Sequence, residues 1–309
     1  MRAVFFGTPA IAVPSLEALR DVAEVVGVIC QPDRPQGRGL RLQEPPVKQR
    51  ALELGLEVYQ PTKVKTGELE YWIRQRQPDV ALVIAYGRIL PPAVLAAPTL
   101  GCLNLHASLL PQLRGAAPIQ WALIHGDSET GISLMQMDEG CDTGPVFLRE
   151  RLPIDPLENA GGLTERLGTL AAHVTRTYLP EVVSGKLTTT PQLHSQATHA
   201  PLITSELCRL DFSQSAQQVT NLVRGLAPRP GAFTVLAGKR FKLLACSPLT
   251  LLEPFAPGTV LVRGRDQVLF GCGDGRAVEV RLGQFEGRVA MGPEDLIQGR
   301  GIGTGMICQ

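Results

Sequence analysis

In the first half of the chain, short and wholly apolar runs recur between segments of helix length, and this alternation constrains the fold more than any other feature. Ala3 to Phe6 is the first run, closed by Gly7-Thr8-Pro9, and Pro14 to Leu19 then carries helical spacing. Val25 to Cys30 reads as the next buried strand, Val47 to Leu54 as helical, and Val80 to Ala85 and Cys102 to Leu105 as further strands. Strands alternating with helices predict an α/β fold built on a parallel sheet. Ala117 to His125 suits another helix, Ile132 to Met137 and Val146 to Leu152 suit later strands, and Leu163 to Val183 is helical. One α/β domain is therefore expected over residues 1–185.

At 309 residues the chain exceeds what a single core usually covers, so a second domain is expected. Residues 186–203 turn polar and rich in Thr, Ser, Gln and His, with little apolar periodicity, and read as a linker. Residues 204–309 open with one helix, Ser215 to Leu226. Short β-type runs follow at Ala232 to Leu236, Phe241 to Ala245, Thr259 to Val262 and Val278 to Leu282. Such spacing predicts a small barrel or sandwich.

The net charge of +1 gives no global reason to bind nucleic acid and leaves room for a local basic loop. The seven cysteines are scattered, never form a Cys-x-x-Cys pair, and read as reduced cytosolic thiols. The apolar run at the N-terminus is too short for a signal h-region, so a cytoplasmic location is expected. A monomer is expected, since the second domain offers no obvious dimer seam.

The chemistry-bearing residues begin with Asn104 and His106. On a strand they are i and i+2, so both side chains leave one face near the carboxyl end, where open α/β sheets bind ligands. An amide there can donate to oxygen charge developing on a carbonyl, and an imidazole beside it can donate or shuttle a proton. The other reading of the pair is a satisfied turn and a local hydrogen bond. The loop Met137 to Pro145, MDEGCDTGP, is carboxylate-rich and glycine-bounded, and Asp142 is its candidate catalytic group. Asp138 and Glu139 also fit a solvated turn.

Gln31 to Lys48 holds Arg34, Arg38, Arg41 and Lys48 among four prolines and two glycines, too broken for a helix. Its arginines suit phosphate and base contacts or a solvated loop. Gly-x-Gly-x-x-Gly is absent after the first strand, which argues against a nicotinamide cofactor, and no Gly-x-x-x-x-Gly-Lys loop supports ATP chemistry. His194 and His199 have no cysteine partners nearby, and no metal is expected.

The segments GTPAIAVPSLEAL, QPDRPQGRG, VIAYGRILP, NLHASLLPQLRGAAPI and DEGCDTGPV, with DFSQSAQQVTNLVRGL and RPGAFT in the second domain, resemble the methionyl-tRNA formyltransferase family. The resemblance implies a Rossmann-like formyltransferase domain followed by an OB-like β-barrel domain that contacts tRNA. It implies formyl transfer from 10-formyltetrahydrofolate to the α-amine of methionine on initiator tRNA, with neither metal nor NAD. It further implies a catalytic trio of Asn104, His106 and Asp142. Ser108, Leu109, Leu110 and Pro111 match the folate-binding segment. Arg88, Ile89 and Leu90, together with Asp138, Glu139, Gly140 and Cys141, match the pterin pocket. Arg34, Arg38 and Arg41 match the loop that engages the acceptor end of the tRNA. Cys141 stands where the family usually has Leu, Leu202 where it has Lys, and Arg229 where it has Trp.

Overall fold

The computed structural model describes residues 1–36, 41–299 and 301–308. Two compact units make up the chain: residues 1–118, 129–153 and 164–201 form the first, and residues 119–128, 154–163 and 202–309 the second.

The first unit is built on a seven-stranded sheet. Its strands are β1 (Arg2–Gly7), β2 (Glu24–Ile29), β5 (Val58–Tyr59), β6 (Val80–Ile84), β7 (Cys102–His106), β8 (Glu129–Gln136) and β9 (Val146–Pro153), in the order β5-β2-β1-β6-β7-β8-β9. The first five are parallel, and β8 pairs antiparallel with both β7 and β9. The expected parallel sheet is thus a mixed one, because apolar periodicity reports burial and carries no strand direction. Ala3 to Phe6 and Val80 to Leu82 are fully buried, as central strands covered on both faces must be. Helices α1 (Val13–Val22), α2 (Pro46–Glu53), α3 (Glu68–Arg76) and α4 (Pro92–Leu95) connect the parallel strands, and α1, α2 and α4 open with a proline in the first turn. Gly27 in β2 has a physical reason: a Cβ there would sit 2.3 Å from Cη2 of Trp72, whose ring stacks on Tyr59 at 5.0 Å.

Some elements lie where the sequence predicted none. Glu68–Arg76 is helical, with Leu69 and Ile73 buried at i and i+4 among charged neighbours. The basic segment forms a short hairpin, β3 (Arg34–Gln36) with β4 (Arg41–Gln43). Arg38 and the side chain of Arg41 lie outside the described residues.

Helix α5 (Pro118–His125) lies largely in the second unit, and α6 (Ala160–Val183) runs mostly through the first. The second unit carries a five-stranded antiparallel sheet, β10 (Ala232–Leu236), β11 (Lys239–Leu249), β12 (Val260–Arg263), β13 (Gln267–Gly271) and β14 (Ala277–Phe285), in the order β10-β11-β14-β13-β12. Its core packs the buried face of α7 (Ala216–Leu226) against Phe241, Phe270 and Phe285. A Ser215/Gln218 capping box starts α7, where Ser215 accepts the Gln218 N–H and the Gln218 side chain returns to the Ser215 N–H. The C-terminal residues bridge both edge strands, Cys308 to Leu236 of β10 and Ile307 to Thr259 just before β12. Helix α8 (Pro293–Gln298) completes the unit. Among the described residues, no helix is long and apolar enough to cross a membrane.

Candidate active site

Asn104 is the third residue of β7 and His106 the last, so the pleat turns both side chains to one face of the sheet. Because β8 is antiparallel to β7, the loop after β8 leaves from the opposite end of β7 and folds back before β9 begins. That return carries Asp142 onto the pair. Asn104 Nδ2 donates to Asp142 Oδ1 at 3.3 Å, and His106 Nδ1 lies 3.5 Å from the same oxygen. The Gly115 N–H donates to Asp142 Oδ2 at 2.9 Å. The site brings three distant sequence positions to one carboxylate.

The imidazole has a defined tautomer. His106 Nε2 faces the Leu113 carbonyl oxygen at 2.9 Å, and a carbonyl only accepts, so Nε2 carries a proton. Nδ1 is therefore the nitrogen free to gain or lose one, and it faces Asp142. His106 is 6% exposed, which keeps this exchange away from bulk water.

Two residues of the site hold left-handed backbone without being glycine, Leu113 at φ +57° and Asp142 at φ +54°. Such conformations cost on the order of 1–3 kcal/mol each and persist where surrounding contacts fix them. The fixing contacts come from residues 190–200, which the sequence read as a linker. Thr198 Oγ1 accepts the Leu113 N–H at 2.9 Å, the Arg114 N–H donates to the Thr198 carbonyl at 2.9 Å, and the Ala200 N–H donates to the Arg114 carbonyl at 2.7 Å. Gly115 sits so close to this segment that a Cβ would fall 2.8 Å from the Ala200 carbonyl oxygen, and its φ of +121° suits glycine alone. Polar composition signals a loop and says nothing of what the loop bonds to, so Arg114, Gln192 and Thr198 escaped the sequence reading.

The other candidates spread around this centre. Leu110 is buried, its N–H donates to Ser133 Oγ at 3.0 Å, and its carbonyl accepts from Arg149 Nε. Ser108 is buried too, and its hydroxyl donates to the Gln112 carbonyl at 2.6 Å. Leu90 packs in the core with Tyr86 and Val94, whereas Ile89 is 78% exposed. In the returning loop, Asp138 Oδ1 accepts the Gly140 N–H at 3.1 Å and the Thr143 hydroxyl at 2.7 Å, an arrangement that shapes the turn. Glu139 and Cys141 are exposed. Enclosure by the loop and the neighbouring Asp142 carboxylate push the Cys141 thiol up, away from thiolate reactivity.

A cavity of about 630 Å³ opens at the carboxyl ends of β1, β2 and β6, where the strand order turns from β2 to β1 to β6. Open α/β sheets bind ligands at such a switch point. Thr8, Gln31, Arg34 and Tyr86 are among its lining residues. Gln31, which the sequence did not single out as a ligand residue, joins two of the predicted arginines. Its Oε1 accepts Arg34 NH2 at 2.9 Å and Arg88 Nε at 3.2 Å, while its Nε2 donates to the Tyr86 and Gly87 carbonyls. Arg88 also donates to the Thr62 carbonyl at 2.8 Å. Among the described residues, no cluster of His, Cys, Asp and Glu could hold a metal ion.

Comparison with known proteins agrees with this architecture. Residues 1–182 match the formyl transferase family, and residues 202–301 match the formyl transferase C-terminal domain. A methionyl-tRNA formyltransferase of Sorangium cellulosum (strain So ce56) is 54% identical over 309 residues, covering 99% of each chain. That of Myxococcus xanthus (strain DK1622) is 46% identical over 304 residues, covering 98% of this chain and 96% of the relative. Among solved structures, a sugar 3N-formyl transferase determined in the presence of dTDP and 5-N-formyl-THF aligns with a TM-score of 0.68 at 15% identity. That alignment covers 94% of this chain and 99% of the other, and at this identity it speaks to the fold alone. With both domain families present in order and full-length relatives this similar, the chain belongs to the methionyl-tRNA formyltransferase family and is a transferase.

Proposed function

We propose that the chain transfers a formyl group from 10-formyltetrahydrofolate to the α-amine of methionine on initiator tRNA, yielding N-formylmethionyl-tRNA for translation initiation. The observation that carries this reading is the convergence of Asn104 Nδ2 and His106 Nδ1 on one oxygen, Asp142 Oδ1. With Nδ1 protonated, both groups are donors fixed on one oxygen position, and they can turn to the oxygen of a formyl group as charge develops on it. Preorganised donors of this kind typically contribute about 10²–10³ in rate each.

The residues divide the proton work. A free α-amine has a pKa of roughly 8 and must reach its neutral form to attack. The ammonium form gives its proton to solvent before attack, and Asp142 takes the second proton, which the amine nitrogen sheds once it has bonded to the formyl carbon. The amine lone pair forms the new bond to the formyl carbon while Asn104 and His106 hold the oxygen. The bond from that carbon to N10 of the folate then breaks, its electron pair stays on N10, protonated His106 gives N10 its Nδ1 proton, and the proton held by Asp142 passes to Nδ1 to restore the site. Throughout, the Leu113 carbonyl holds Nε2–H in place, so only Nδ1 exchanges. No covalent enzyme intermediate is required.

Residues 108–111, 88–90 and 138–141 are the folate contacts in this reading. They fit a flat heteroaromatic ring in that they offer apolar surface at Ile89 and backbone without a side chain at Gly140. The 5-N-formyl-THF in the crystallised sugar formyl transferase supports a folate donor. The cavity at the switch point takes the acceptor end, with the exposed Arg34, and Arg38 and Arg41 of the same segment, on tRNA phosphates. The second unit, whose sheet edges are both bridged by the C-terminal residues, is an OB-like barrel that carries further tRNA contacts. The enzyme works as a cytoplasmic monomer.

The test is formyl transfer by purified protein from 10-formyltetrahydrofolate, with methionyl initiator tRNA, methionyl elongator tRNA and free methionine as acceptors. Formylation confined largely to the initiator is the expected result; comparable formylation of the elongator or of free methionine would overturn the RNA-reading part. No transfer to any acceptor by folded, folate-binding protein would overturn the reaction.

A further inference from the structure

We propose that Gln192 is a positioning residue for the reaction: its amide fixes the backbone of the Asp142 loop, and through Arg114 it ties that loop to the turn that holds His106. The proposal rests on the reading of Asp142 and His106 as the formyl-transfer site.

Gln192 lies in the polar segment after α6 and is 5% exposed. Every hydrogen-bonding position of its amide is directed at the site. Nε2 donates to the Asp142 carbonyl at 2.9 Å and to the Gly144 carbonyl at 2.7 Å, so the two amide hydrogens bracket the left-handed turn at Asp142. Oε1 accepts Arg114 Nε at 3.1 Å and Arg114 NH2 at 2.7 Å. Arg114, also 5% exposed, directly follows Leu113, whose carbonyl fixes His106 Nε2. His194 Nδ1 lies 3.2 Å from Arg114 NH1 and accepts from it, since a guanidinium only donates.

The consequence is mechanical. Asp142 and Leu113 are 29 positions apart in sequence, and both adopt positive φ. One buried side-chain pair, Gln192 with Arg114, spans both. Moving Asp142 by about 1 Å would separate its carboxylate from Asn104 Nδ2 and His106 Nδ1, and a misplacement of that size can cost about 10²-fold in rate. The Gln192 amide is fully engaged by Arg114 and the Asp142 and Gly144 carbonyls and leaves no position for a substrate, so the larger loss is expected in kcat.

Two substitutions separate this role from simple packing. Gln192→Met keeps the length and volume and removes every hydrogen bond. Gln192→Glu keeps the acceptor for Arg114 and removes the donors to the Asp142 and Gly144 carbonyls. The expected result is that both variants fold, bind 10-formyltetrahydrofolate within about threefold of the parent, and lose about 100-fold in kcat with both KM values little changed. A folded Gln192→Met with kcat within threefold of the parent overturns the proposal, as does a loss confined to KM. A Gln192→Glu that keeps full kcat overturns it as well, since the hold on Asp142 would then be dispensable. The ¹⁵N resonances of the His106 ring read the same geometry without turnover. Nδ1 is expected to shift in either variant as the Asp142 carboxylate moves off it, and unchanged resonances count against the proposal. Parent protein that formylates no acceptor would remove the reaction assigned above, and the ring resonances would still decide whether Gln192 holds Asp142.

Discussion

Asp142 in the first unit and Phe241 in the second are both fixed residues, and they are fixed by different means. Asp142 holds a left-handed backbone through hydrogen bonds from Asn104, Gly115 and Gln192, with most of its surroundings polar. Phe241 is fully buried, with ring centroids 4.9 Å from Phe285 and 6.1 Å from Phe270, and Phe270 stacks in turn on Phe212 at 5.3 Å. Its backbone pairs with β10 and β14, and its side chain is held by packing alone. The first arrangement is specific about where atoms lie and adds little net stability, because each hydrogen bond replaces one to water and is offset in part by backbone strain. The second supplies stability in proportion to the apolar area buried and positions no reactive group. Substitutions in the two places should therefore fail in different measurements.

The sharpest form of that contrast is Asp142→Asn, expected to lower kcat by about 10²–10⁴ while the melting temperature stays near that of the parent. Single-turnover formylation and a thermal melt on one preparation check it, and a large loss of stability would show that the carboxylate is structural. Asn104→Ala and His106→Ala should follow the same pattern. Phe241→Ala reverses it, with an expected cost of about 3–5 kcal/mol in denaturant unfolding, while the molecules that remain folded keep the chemical step. A rate loss in folded Phe241→Ala as large as that of Asp142→Asn would break the distinction.

Gly283→Ala refines the packing side of the comparison. Its Cβ would fall 2.2 Å from Cζ of Phe241, so overpacking should cost about 1–3 kcal/mol, and the cost should shrink when Phe241→Leu is made in the same chain. Equilibrium unfolding of the two single variants and the double one decides it. Ser215→Ala, which removes the cap of α7, should cost about 1 kcal/mol by the same assay. Smallest is Leu202→Lys: the side chain is 74% exposed, and the change in unfolding free energy should stay within about 0.5 kcal/mol.

Much of the fold was legible because burial writes itself into a sequence. The runs Ala3 to Phe6 and Val80 to Ile84 are apolar at every position because both faces of those strands are covered, and α7 declares its start at Ser215. What stayed hidden was signalled weakly. Glu68–Arg76 has a mean composition so polar that its two buried residues do not make a stripe, and Gln267–Gly271 is a short strand between turns. The antiparallel run of β8 had no signal either, since direction depends on which neighbour a strand finds.

The candidate site divides along the same line. Asn104 and His106 were paired by the pleat of one strand, a local rule that the sequence alone applies, and Asp142 was marked as a carboxylate in a glycine-bounded loop. By itself, then, the sequence marked Asn104, His106 and Asp142 as candidates, located many of the strands and helices of the first unit, and pointed to the family to which the chain belongs. Only the tertiary structure decided that Asp142 returns over the sheet onto Asn104 and His106, that the Leu113 carbonyl selects the proton-bearing nitrogen of the imidazole, and that the polar stretch from Thr190 to Ala200 is part of the first unit. The reason is physical. Propensity and periodicity act between residues a few positions apart, whereas a hydrogen bond such as that from Gln192 to Asp142, across fifty residues, exists only once the chain has folded and excluded the water that would otherwise compete for it.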